Sequence, residues 1–215
     1  MERTITIKAI GKVSQKPDCL RLNIELTAKD LDYQKTMDLA SKQLEDLRKA
    51  LIEEGFKRED LKTSNFNINT IYIYKQNNSN EKTFDGYRCD HSLELSFENE
   101  MQKLNKALNA FQTSETNPEF TINFTLKDPE ELKKELLVKA CEDAKEKAEI
   151  LSKASKVKLG KLLAINYSWV DLNFDSQTNL AAARGVKMMA MNSVNIEAKD
   201  IELEENVTFI YEIEE

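Results

Sequence analysis

The chain has 215 residues, 40% hydrophobic and 32% charged, with only five glycines and three prolines; this is a globular balance that leaves little for flexible linkers. Its formal charge of −7 is concentrated between 196 and 215, where eight acids face Lys199 alone, so the remainder is near neutral and does not favour nucleic acid as a partner. No apolar run approaches the roughly 20 residues of a membrane span, and the N-terminus opens on an alternating strand pattern without the apolar core of a signal peptide, which reads as cytoplasmic unless a leader has been removed.

Taken in order, Thr4–Ile10 alternates, with Ile5, Ile7 and Ala9 on one side, and Gly11–Asp18 reads as a turn. Leu20, Leu22, Ile24, Leu26 and Ala28 then alternate with polar residues, and the short connection predicts that these two strands form an antiparallel pair. A helix follows over Asp32–Glu54, with Met37, Ala40, Leu44, Leu47 and Leu51 inward and Gly55 as its left-handed stop. Leu61–Tyr74 and Tyr87–Phe97 read as long partner strands, joined by an Asn- and Ser-rich loop over Lys75–Gly86. A shorter helix near Glu100–Phe111 turns Met101, Leu104, Leu108 and Phe111 inward, and Phe120–Leu126 is the next strand.

The most heavily patterned stretch comes next. Asp128-Pro129-Glu130-Glu131 is a helix start, with an N-terminal acceptor, a proline suited to the first turn and a capping-box acid. Behind it Leu132, Leu136, Ala140, Ala144, Ala148 and Leu151 form one apolar stripe, whose three alanines allow close approach to the layer below; Asp143 and the neighbouring charges read as the solvated face. Leu162–Val170 is apolar enough for a central strand. Asp171–Asn195 has no clean period and reads as a long irregular arm, and Val207, Phe209, Tyr211 and Ile213 mark a last strand whose acids suit a solubilising edge. The order β-β-α-β-β-α-β-α-β-loop-β predicts an α+β fold, a largely antiparallel sheet or sheets with three packed helices, in one domain over 1–215 or in two lobes.

Cys19, Cys89 and Cys141 have no metal-ligand or disulfide spacing and read as reduced, mostly packed thiols. His91, the single histidine, shares a strand face with Cys89, but residues two apart on a strand hold their side chains about 7 Å apart, which suits packing better than a Cys–His nucleophile. No catalytic, cofactor-binding or metal residues are assigned. In the arm, Leu180, Val186, Met188, Met189 and Met191 offer adaptable apolar surface that no regular element requires, and they are the candidate self-association residues.

Four blocks of the chain resemble the SIMPL-domain family. They are Gly11 through Asp18; Asp60-Leu61-Lys62-Thr63-Ser64-Asn65-Phe66 with Tyr72, Tyr74 and Gly86-Tyr87-Arg88; Phe124 through Pro129 with Asp143 through Ala148; and Leu159-Gly160. Two departures stand out: Ser114-Glu115-Thr116-Asn117 replaces a common Ala-Gly-Ala-Asn, and Lys156 stands where a glycine commonly ends the long helix, which implies a left-handed lysine at a cost of about 1 kcal/mol. The resemblance implies no established enzymatic activity and no cofactor, with associations to oxidative-stress defence, surface immunogenicity and protein interaction. The resulting expectation is a non-enzymatic binding or assembly module that forms homo-oligomers, set against a small-molecule or metal-dependent enzyme with a fold-formed site, or a redox-responsive protein acting through Met and Cys.

Overall fold

The structure, a computed structural model, describes residues 3–74, 82–168, 172–182 and 196–214, with the backbone alone over 179–182. It is α+β, with eight strands in two antiparallel sheets and three α-helices among the described residues, in the expected order. The chain forms two compact units: Met1–Pro17 with Leu126–Gln177 and Lys199–Glu215, and Asp18–Thr125 with Thr178–Ala198.

The second unit is a five-stranded sheet in the order β3-β4-β2-β5-β7. These strands are β2 (Cys19–Asp30), β3 (Leu61–Tyr74), β4 (Lys82–Glu98), β5 (Glu119–Thr125) and β7 (Asn179–Ala182). Strand alternation sends Leu20, Leu22, Ile24, Phe124, Leu93 and Leu95 to one face, where they bury against Leu47 and Leu51 of α1 (Tyr33–Glu53) and Leu104 and Phe111 of α2 (Met101–Thr113). The other face is polar, with the Ser92 hydroxyl donating to Glu25 at 2.9 Å. Helix α1 begins where the Asp32 carboxylate accepts the Lys35 N–H at 3.0 Å and stops before Gly55 at φ 96°.

The first unit is a three-stranded sheet, β1 (Thr4–Gln15), β8 (Ile201–Glu214) and β6 (Lys158–Asn166), with β8 in the middle and α3 (Glu130–Ala154) on one face. The predicted stripe holds from Leu132 to Ala148, all buried. Its last member does not: Leu151 is exposed and Ser152 is buried instead, because the stripe advances by four residues at every step. Lys156 takes the left-handed conformation at φ 57° that its place at the helix end implies.

Four local expectations change. β1 and β2 are not paired; β1 pairs with β8, and β2 with β4 and β5, since alternation states which side of a strand is buried and not which strand lies beside it. Gly11–Gln15 is strand and not turn: an added Cβ on Gly11 would lie 2.0 Å from the Leu136 carbonyl oxygen, so glycine is there for close approach to α3. β6 is an outer strand with Leu162, Leu163 and Ile165 about half exposed, whereas the acidic β8 is central, with Glu202, Glu204, Glu212 and Glu214 alternating out of the helix-covered face and Glu205 alone buried on it. The arm contains the short strand β7, paired with β5 at Leu180 opposite Ile122.

Candidate interaction surface

Two sheets present four outer strands among the described residues, β1, β6, β3 and β7, and unpaired backbone along such an edge templates pairing with another strand. Three are managed. The Ile10 N–H on β1 donates to Asp143 Oδ2 of α3 at 2.7 Å, and Lys147 Nζ bridges that carboxylate at 2.7 Å and the Lys8 carbonyl at 3.3 Å. The ammonium of Lys147 and the Ile10 N–H together hold the Asp143 carboxyl below the usual carboxylate range. β6 carries Lys158 and Lys161 and an irregular register, and β7 is four residues long.

β3 has Lys62 and a bulge only at its start, and beyond them none of these devices. Its fourteen residues are largely exposed, and from Thr63 to Tyr74 there is no charge, no proline and no glycine. A 32% charged chain would place about four charges in twelve residues, so this run departs from its own background. Ser64 is bulged; from Asn65 to Tyr74 the strand is continuous, and the second irregularity lies in β4, where the backbone turns at Gly86 with φ 113°. Side-chain volume is also excluded at Gly86, where an added Cβ would stand 2.5 Å from the Asp30 carbonyl oxygen.

β2 accompanies β4 only as far as Asp30 opposite Tyr87, so beyond that point β3 and β4 continue as a two-stranded ribbon. Aromatic rings line it in edge-to-face contact: Tyr33 with Tyr87 at 5.5 Å, Tyr87 with Phe84 at 5.4 Å, and Phe84 with Tyr72 at 6.2 Å. Tyr74 lies beyond them under the Lys82 ammonium, and Tyr72 and Tyr74 are 52% and 63% exposed. An isolated two-stranded ribbon is marginal in water, so this end of the sheet combines unpaired backbone with uncovered rings.

The groups considered for chemistry lie elsewhere. His91 is buried, its Nε2 2.9 Å from the Thr63 hydroxyl and its ring edge-on to Phe66 at 4.9 Å, while its Nδ1 has no partner. Burial, then the Arg48 charge, lowers the imidazole pKa; burial, then Asp90, raises that of Cys89. Both shifts disfavour a thiolate–imidazolium pair. Cys19 is likewise buried, whereas Cys141 is exposed on α3 and departs from the expected packing. A groove of about 590 Å³ in the first unit is lined by Asn173, Asp175, Lys199, Asp200 and Glu202 among others, charges of both signs with no group of three metal-type ligands among the described residues. Of the self-association residues read from the sequence, Leu180 lies on β7 with its side chain outside the description, and Val186, Met188, Met189 and Met191 lie outside the described residues.

Sequence reasoning missed the Asp143–Lys147 clamp, although the i,i+4 pair was visible on the helix, and it missed the uncharged run in β3, although composition alone displays it. No helix of the described residues is long and apolar enough to cross a membrane.

The chain is similar to the 26 kDa periplasmic immunogenic proteins of Brucella melitensis biotype 1 and Brucella abortus strain S19, with 26% identity over 164 residues in each case. That match covers 75% of this chain and spans 65% of the length of those relatives. The SIMPL family, described as protein of unknown function (DUF541), matches residues 5–211. The blocks that carry the resemblance find physical reasons in the fold: Gly11 admits α3, Gly86 makes the bulge, and Asp143 with Lys147 closes the β1 edge. With the match running from the first strand to the last, the chain belongs to the SIMPL family.

Proposed function

We propose that this protein is a non-enzymatic assembly module that works by self-association. The observation that supports the reading is the ribbon of β3 and β4, where exposed rings and unpaired backbone occur at the same end of one sheet. Apolar surface of that kind gains by burial, and an outer strand of that length invites a partner. The arm residues Leu180, Val186, Met188, Met189 and Met191 are proposed as a second contact, on their apolar and adaptable character. The names of the Brucella relatives favour an envelope compartment over a cytoplasmic one.

Light scattering across a concentration series tests the reading. The expected mass is a multiple of the 24.7 kDa chain, reduced when Met188, Met189 and Met191 are all replaced by Ser. A mass of one chain at every concentration contradicts self-association, and an unchanged mass in the triple variant removes the arm from it.

A further inference from the structure

Resting on the self-association reading, we infer that two copies of this chain join β3 to β3 antiparallel, about a twofold axis at Asn69, to make one continuous ten-stranded sheet. The geometry is restrictive. A twofold that pairs two identical edges antiparallel stands perpendicular to the sheet, so some residue lies opposite its own copy, and both sets of helices lie on the same side. The regular part of β3 is Asn65–Tyr74, and its midpoint falls beside Asn69. With the axis there, the overlap runs from Ser64 to Tyr74 and contains no charged residue, and Lys62 lies outside it.

That register also matches side chains. Phe66, Ile68 and Thr70 stand opposite His91, Cys89 and Tyr87 on the helix-covered side of the sheet. Across the axis Phe66 meets the partner's Tyr72, Ile68 meets its Thr70, and Asn69 meets its own copy as a pair of amides. A second copy is favoured over a foreign segment on three counts. The chain carries −7, and this neutral strand is a place where two such chains meet without like charges opposed. The strand is self-complementary in the sense just described. The overhanging ribbon, two-stranded in one chain, lies in the pair against residues 64–67 of the other copy's β3, where β4 and β2 continue the sheet, which satisfies its outer backbone groups.

Asn69 is exposed, so charge can be placed there without touching the core. Asn69→Lys and Asn69→Asp each put two like charges about 5 Å apart at the axis, and each weakens association roughly tenfold. Mixing the two variants replaces repulsion by a Lys–Asp pair and restores the wild-type mass in light scattering. Wild-type self-association that neither variant alters overturns this interface and leaves the assembly reading standing. Weakening by both variants without recovery on mixing overturns the axis at Asn69. A wild-type chain that is monomeric at every concentration overturns both the interface and the assembly reading.

Discussion

The outer strands β1 and β3 are of similar length, twelve and fourteen residues, yet their backbones meet different surroundings. Along β1, side chains of α3 reach over the edge: Asp143 takes the Ile10 N–H, and Lys147 donates to the Lys8 carbonyl. That reach depends on small residues, because Gly11, Ala140 and Ala144 let the helix axis come close enough for a four-atom side chain to span the gap. Along β3 the residue types that would block an approaching strand are missing from Thr63 onward. The contrast teaches that an edge in this fold is closed by helix side chains or left open by composition.

The largest expected effect comes from removing the close approach. Gly11→Ala drives a methyl into the Leu136 carbonyl, and neither backbone can yield cheaply. Denaturant unfolding should show a loss of more than about 3 kcal/mol. A loss below 1 kcal/mol would mean that α3 is not held against β1 and that the clamp is not placed by it.

Asp143→Ala takes the clamp away directly. It strands the Ile10 N–H and the Lys147 ammonium, and should cost about 1–2 kcal/mol at neutral pH. The carboxyl pKa is lowered in the fold, so its contribution is present above the ordinary value near 3.8 and disappears as pH falls through the folded value. Wild-type and variant stabilities should therefore converge in acid; a constant gap down to pH 2 would speak against a charged clamp.

His91 gives a smaller effect at the open edge, where it joins β4 to Thr63 of β3. Its folded pKa lies below the ordinary 6.5, so the unfolded chain takes up the proton first. Stability should be flat above about pH 6.5 and fall below it, with the slope removed by His91→Gln. A histidine-dependent rise in stability toward acid would show that the ring is not buried as a neutral group. Smallest of all, Asn69→Lys should change the stability of the single chain by less than about 1 kcal/mol, because the side chain is exposed and has Arg88 as its cross-strand neighbour. A larger loss would show that Asn69 supports the strand itself.

Much of the fold was legible in the sequence, and the reasons differ by element. Helices α1 and α3 announce themselves because a 3.6-residue period, an N-terminal acceptor and Gly55 are all local. Strand partners were legible only for β3 and β4, which are joined by one loop and pair as expected. β1 and β2 each alternate cleanly, yet their neighbours lie far along the chain, at Ile201–Glu214 for β1 and at Lys82–Glu98 and Glu119–Thr125 for β2. The apolar β6 read as covered because composition reports strand propensity and not what lies beside a strand. The open edge of β3 was half legible: the run without charge could be read, but that no strand of the described residues follows β3 in the sheet order could not.

Amide hydrogen exchange over a concentration series tests the contrast between the two edges most directly. The account predicts that amides of Asn65–Tyr74 facing away from β4 become protected as concentration rises, while Ile10 is protected at every concentration and loses that protection in Asp143→Ala. Protection along β3 that is independent of concentration, or an Ile10 amide that exchanges freely in the wild-type chain, would contradict it.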